Sequence, residues 1–337
     1  MIKSVYYILL HKIFFKLKLF VSFIQSFFII KKITKIEESL ILIGQIQRSG
    51  GSLLVQLFDS HKNLHTYPNE LIISKSRYQL FHRNFYKTLI INEGLRINYI
   101  KRNYTKLGKI KPNKILRNPF KFNPSLEKKI FLELKRKFKK KNTNKKRFIF
   151  NAYFTSFFNS FLNYKNFKGK KKYIIAFLPK FIFYKNNINL FFKTYPKSFI
   201  IIILREPMGW LNSAKIHFDT KNNKDLLKNW NNNFNNSLKL KRKYKKQILL
   251  VSFSNLRNNT KRTMHKICKI IKIDYLSSLT TPTFNGHNIQ SNSSHKIVHG
   301  KIDKNKDSSI LKNISNQDKK SLKNLSIKYK KIQKKLI

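Results

Sequence analysis

The chain is poor in several residue types. Cys268 is the only cysteine, so no intrachain disulfide can form and a zinc site built on several thiolates is excluded. Glycine occurs nine times, proline eight and alanine three times (Ala152, Ala176, Ala214), while only 14 of the 337 residues are Asp or Glu. In the apolar N-terminal segment the longest run free of charged residues, Leu19–Ile30, has 12 residues and falls short of the roughly 20 that a spanning helix needs. What is present in excess is lysine: 60 Lys and 12 Arg give a formal charge of +58. Lys, Asn, Ile, Phe and Tyr are abundant together, while Gly, Pro and Ala are scarce together. That split follows AT-rich against GC-rich codons, so nucleotide bias explains the charge as well as selection for a polyanion does. The basic field permits an anionic partner. Selection for nucleic acid would enrich Arg over Lys, no known nucleic-acid module is present, and a specific nucleic-acid partner is not expected.

The hydrophobic fraction of 41% is enough for a core, and the pattern reads as α/β. Buried-strand patterns occur at Leu40–Ile46, Tyr173–Phe177, Phe199–Leu204 and Ile248–Phe253, separated by helical spacing. A helix is expected from Ser52, and another over Met208–Phe218 with Pro207 in its first turn. A third is expected to be capped by Ser254 and to run to about Ile271. Such alternation predicts a mostly parallel sheet flanked by helices. Residues 39–300 form the expected α/β domain, with 75–150 as a helical Lys-rich insertion or cap containing a helix over Leu126–Lys140. Residues 301–337 read as a basic helix or tail. Residues 1–38 form a basic amphipathic segment, either a docking helix or one that lies on an anionic membrane surface. No small-residue cleavage site follows it, so the expected location is cytoplasmic, with peripheral contact at the inner face of the membrane through residues 1–30.

Two segments carry chemistry. In Ile41–Leu54 a strand pattern breaks at Arg48-Ser49-Gly50-Gly51-Ser52 and a helix starts at once. Adjacent glycines allow a tight turn and close backbone approach, and the free N–H groups of a helix start favour an anion. Arg48 adds charge and Ser49 and Ser52 add hydroxyls. The nucleotide-triphosphatase loop differs, because it places Lys before Ser/Thr where Gly51 precedes Ser52 here. In the second segment Arg205 leaves a strand and Ser213 follows eight residues later, about two helical turns on. An arginine and a hydroxyl can thus converge on one phosphate at the carboxyl edge of the sheet. Tryptophan 210, between them, reads as core packing.

These segments resemble the sulfotransferases that use 3′-phosphoadenosine-5′-phosphosulfate (PAPS). Their first motif, Pro-Arg-Ser-Gly-Thr-Thr-Leu-Leu, is similar to Gln47–Leu54. Their Arg-Asp-Pro, with a Ser eight residues after the Arg, is matched by Arg205, Glu206, Pro207 and Ser213. Val251–Leu256 takes the place of a Val-Arg-Tyr-Glu-Asp-Leu segment, and Thr281–Gly286 is similar to a Thr-Pro-Thr-Phe-Asn-Gly stretch of bacterial members. The likeness runs over roughly residues 40–300. The first-loop Pro and Thr are lost, which touches hydrogen bonding to the sulfate end, and Ser254-Asn255 replaces Glu-Asp.

The resemblance implies transfer of a sulfuryl group from PAPS to a hydroxyl, with a carbohydrate as the favoured acceptor and no metal. Arg48, Ser49, Gly50, Gly51 and Ser52 would form a P-loop-like 5′-phosphosulfate loop, with Arg48 also offsetting charge on the leaving phosphate. Arg205 and Ser213 would hold the 3′-phosphate. Glu70 is the candidate general base, and His65, Asn292 and Ser294 are candidate acceptor contacts. A P-loop kinase-like phosphotransferase and a non-catalytic basic binding protein of the same fold are the competing expectations. A requirement for magnesium would mark the first, and salt-sensitive binding to any polyanion the second.

Overall fold

The computed structural model describes residues 33–71, 120–138, 145–217, 222–289, 300–304 and 314–337, together with Leu17, Phe20, Val21 and Ile24. Five parallel strands, β1 (Ser39–Gly44), β2 (Leu64–Glu70), β3 (Tyr173–Phe177), β4 (Phe199–Leu204) and β5 (Ile248–Ser252), form one sheet in the order β2-β3-β1-β4-β5. Alternation along each central strand divides the side chains between two apolar layers. Leu40, Leu42, Ile174, Ile200 and Ile202 face one layer, while Ile41, Ile43, Ile175, Ile201 and Ile203 face the other. Both faces are therefore covered, as a parallel sheet requires.

The second of these layers is closed by α1 (Gly51–Phe58), the short α7 (Phe253–Asn258) and α8 (Thr260–Ile271), through Leu54, Leu57, Leu256, Met264 and Ile267. The first layer is thicker. Between α1 and α7 the chain forms α2 (Pro124–Phe138), α3 (Lys145–Ser160), α4 (Lys185–Thr194), α5 (Pro207–His217) and α6 (Asn223–Lys243), and α9 (Asn316–Gln333) follows near the end. Helix α3 brings Phe150, Tyr153, Phe154, Phe157 and Phe158 to one side, at the i, i+3, i+4 spacing of a buried helix face. There Tyr67 and His65 of β2 meet them, at ring separations of 4.6 Å for Tyr67–Phe157 and 4.9 Å for His65–Phe158.

The observed elements refine the expected ones. Strands β3 and β4 match the sequence limits, and α5 begins at Pro207. Strand β1 stops at Gly44, two residues early, because the chain leaves the sheet to form the loop. The helix expected after Ser254 is instead capped by Ser252, whose hydroxyl accepts from the Asn255 amide, and is interrupted at Asn259. The Lys-rich stretch to residue 150 ends within α3, whose aromatic face lies inside the core, while residues 72–119 fall outside the described residues. At the other end, α9 buries Leu322 and Tyr329. The Ile337 backbone donates to Leu250 and accepts from Ser252, lining the free edge of β5.

One buried carboxylate ties two distant segments. Asp59, just past α1, accepts from the Thr283 hydroxyl and from the Gly286 amide, both at 2.9 Å. Thr283 and Gly286 belong to a hairpin of β6 (Thr283–Phe284) and β7 (His287–Asn288). Burial raises the Asp59 pKa, with the Gly286 and Thr283 bonds opposing the shift. A carboxyl whose folded pKa lies above its unfolded one costs stability as pH rises from the ordinary Asp range through the folded pKa. Asp59→Asn keeps an oxygen acceptor and should remove that fall. Urea unfolding as a function of pH would show wild type losing stability relative to the variant across this window. Asp59→Ala should instead cost about 1–3 kcal/mol at neutral pH by stranding the Gly286 amide, while the Thr283 hydroxyl keeps Ser60 and the Gln56 carbonyl as neighbours.

Candidate active site

Because β1 and β4 are neighbours, with Gly44 opposite Ile202, the turns that follow them emerge side by side at the carboxyl edge of the sheet. The turn after β1 is the Arg48–Ser52 loop, and Arg48 itself adopts a left-handed conformation with φ 70°. Three contacts hold the loop in place. Arg205, buried after β4, donates from its guanidinium to the Arg48 carbonyl at 3.0 Å. The Trp210 indole N–H donates to the Gln47 carbonyl at 2.8 Å. The Arg48 Nε in turn donates to the Ser213 hydroxyl at 3.0 Å. Trp230 completes the bracing by donating to the Arg205 carbonyl at 3.0 Å.

The loop then opens directly into α1. Gly50 has φ 101°, and a Cβ there would lie 2.4 Å from the Phe253 ring. At Gly51 a Cβ would meet the Phe177 ring at 2.4 Å and the Gln45 side chain at 2.9 Å. Gly50 and Gly51 therefore both sit where a side chain has no room. The Gly51 contact also accounts for the missing threonine of the related motif, whose space is occupied by Phe177.

The electrostatics favour an anion. Burial lowers the pKa of Arg205 to about 10 and also lowers that of Arg48, yet both remain charged at neutral pH. Two guanidiniums partly removed from water, with Glu206 beside Arg205 offsetting part of the charge, set up a field that favours an incoming phosphate or sulfate. The Ser49 hydroxyl is fully buried and has no hydrogen-bond partner among the described residues. An unmet buried hydroxyl costs about 1–3 kcal/mol, so an oxygen acceptor supplied by a ligand would restore it. These features fit a phosphosulfate-bearing donor.

The remaining candidates are distributed as follows. Ser52 is half-buried in the first turn of α1. Glu70 is half-buried at the carboxyl end of β2, in register with Phe177 of β3. Two strand spacings, about 10 Å, separate β2 from β1, which places Glu70 on the same edge as the loop. His65 is buried among Phe158, Tyr164 and Phe167, with its pKa pushed down to about 3, chiefly by burial. Its ring packs against the aromatic layer, with Nδ1 3.4 Å from the Tyr164 hydroxyl. Asn292 and Ser294 lie outside the described residues.

Sequence reasoning missed two supports. Trp210 does pack in the core, but its N–H also fixes the loop. Phe253 lies under Arg205, whose guanidinium carbon is 4.8 Å from the ring centroid, and it shapes the turn at Gly50. The aromatic position in Val251–Leu256 was the available signal for the second.

The sulfotransferase family model matches residues 41–277, and the chain belongs to that family. Among solved structures, the chain is similar to the sulfotransferase domain from the curacin biosynthetic pathway, at 13% identity and TM-score 0.47, covering 87% of this chain and 99% of that one. It is also similar to a sulfotransferase from Alicyclobacillus acidocaldarius, at 12% identity and TM-score 0.39, covering 76% and 87%. A third is the sulfotransferase domain from the Synechococcus PCC 7002 olefin synthase, at 16% identity and TM-score 0.40, covering 75% and 81%. No curated protein matches the sequence.

The tight fit of Gly51 against Phe177 yields a double-mutant test. Gly51→Thr should lower the melting temperature through overpacking, by an amount equivalent to about 1–3 kcal/mol. In a Phe177→Leu background the same substitution should cost at least about 1 kcal/mol less. Additive effects of the two changes would mean that Phe177 is not what excludes a side chain at position 51.

Proposed function

We propose that the chain transfers a sulfuryl group from PAPS to a hydroxyl, with a carbohydrate as the favoured acceptor. The observation that carries this reading is the network at the carboxyl edge of β1 and β4. It joins Arg205 to the Arg48 backbone and the Arg48 side chain to Ser213, beside the buried Ser49 hydroxyl. The amides of Gly50, Gly51 and Ser52, with Arg48 and the Ser49 and Ser52 hydroxyls, would hold the 5′-phosphosulfate. Arg205 and Ser213 would hold the 3′-phosphate, which ADP and ATP lack. When bound, the donor supplies an activated sulfuryl group. Arg48, partly desolvated, offsets the negative charge that grows on the phosphate side.

Glu70 would take the acceptor proton. Strand order supports that role: β2 and β3 lie on one side of β1, while β4 and β5 lie on the other. With the donor held between β1 and β4, the acceptor approaches over β3 and β2, where Glu70 ends its strand. The enzyme would work in the cytoplasm, peripheral to the inner face of a membrane through residues 1–30.

The test is transfer of radiolabelled sulfate from PAPS to a panel of saccharides in the presence of a chelator. Wild type should transfer without added magnesium. Glu70→Gln should lower kcat by about 10²-fold or more while leaving donor affinity unchanged. Transfer undiminished in Glu70→Gln would remove Glu70 from the mechanism, and magnesium-dependent transfer of phosphate from ATP would replace the sulfotransferase reading.

A further inference from the structure

The proposed donor site leaves one buried polar side chain unused. Gln45 directly follows β1 and is only 3% exposed, and its Oε1 has no hydrogen-bond partner among the described residues. Its backbone is fixed, because the Gln45 carbonyl accepts from the Lys180 amide at 2.8 Å. A carboxamide held in place yet left unmet is destabilising unless something outside the chain satisfies it.

The surroundings of the carboxamide indicate what that is. A Cβ on Gly51 would lie 2.9 Å from the Gln45 carboxamide carbon and 2.4 Å from the Phe177 ring. Gln45 and Phe177 therefore share the space that a side chain at position 51 would take. In the related motif that side chain is threonine. Its hydroxyl is missing here, and a carboxamide carrying N–H donors stands in its place. A half-turn about the last side-chain torsion exchanges Oε1 and Nε2, so the group can turn a donor toward an oxygen.

The position also selects which end of a ligand is met. Phe177 ends β3 and is in register with Glu70 of β2. Gln45 thus lies on the flank of the loop that faces β3, whereas Arg205 and Ser213 follow β4 on the other side of β1. A donor with its 3′-phosphate at Arg205 would bring its opposite, sulfuryl-bearing end to the Gln45 flank. Ser49, fully buried in the same loop, also has an unmet hydroxyl. An oxyanion there would satisfy both side chains together.

We propose that the Gln45 carboxamide replaces the lost threonine hydroxyl and donates a hydrogen bond to a sulfuryl oxygen of the bound donor. The inference rests on the PAPS reading and adds to it a binding residue from outside the Arg48–Ser52 loop. Gln45 would orient the sulfuryl group while the acceptor oxygen approaches from the Glu70 side.

The test is calorimetric binding of PAPS and of adenosine 3′,5′-bisphosphate, which lacks the sulfuryl group, to wild type and to Gln45→Met. No acceptor is present, so no transfer intervenes. Methionine keeps the length of glutamine and carries no N–H. Gln45→Met should weaken PAPS binding about tenfold or more, while affinity for the bisphosphate stays within about twofold. Urea unfolding of the unliganded chain reads the structural contribution separately. Because the wild-type carboxamide oxygen is unmet, the midpoint should stay unchanged or rise in the variant. Unaltered PAPS affinity in Gln45→Met would overturn the proposal. Equal losses for both nucleotides would overturn it too, since Gln45 would then only support the loop. ADP on wild type keeps the two readings apart. Preference for the bisphosphate over ADP, with PAPS binding indifferent to Gln45→Met, removes this inference alone. Absence of that preference removes the PAPS reading and the inference with it.

Discussion

The site depends on one buried cation. Arg205, just past β4, spends a guanidinium hydrogen bond on the Arg48 carbonyl. That bond fixes a residue held in the left-handed region, where a non-glycine backbone is costly unless its surroundings determine it. Trp230 holds the Arg205 carbonyl, and Trp210 holds the carbonyl next to Arg48. Tyr329 of α9 reaches the same strand ends, near the Leu204 carbonyl and the Ser252 hydroxyl. The loop is therefore set before any ligand arrives, which spares binding the cost of ordering it.

The rest of the architecture serves to place that edge. Parallel strands end together, their apolar side chains divide between two layers, and α1 starts just past the carboxyl end of β1. Asp59 fastens the far end of α1 to the β6–β7 hairpin. The scarcity of glycine and carboxylate makes the exceptions informative. Gly50 and Gly51 lie against aromatic rings, and Asp59 is buried as a clasp.

Much of this was legible in the sequence because the relevant signals are local. An unbroken FIIIIL followed by Arg-Glu-Pro defines β4, its exit and the start of α5, and the Arg48–Ser52 loop follows a strand in plain view. Strand β2 was not legible, since Pro68 argues against a strand. It is accommodated because β2 is an edge strand whose register shifts between Thr66 and Glu70. Helix α3 was obscured by its lysine-rich surroundings, although its aromatic spacing was available. The partners of Asp59 lie more than 220 residues away, and the Phe177 ring over Gly51 comes from a different strand. Contacts of that kind follow from tertiary packing, which no local pattern records.

The account's central claim is that the loop and Arg205 form a site for a 3′-phosphorylated adenine nucleotide. Calorimetric titration with adenosine 3′,5′-bisphosphate and with ADP, at moderate salt with a chelator present, tests it most directly in wild type and in Arg205→Ala. The account predicts clear preference for the bisphosphate in wild type and loss of that preference in the variant. Equal binding of both nucleotides, abolished by salt and indifferent to Arg205, would contradict it and leave only nonspecific attraction by the lysines.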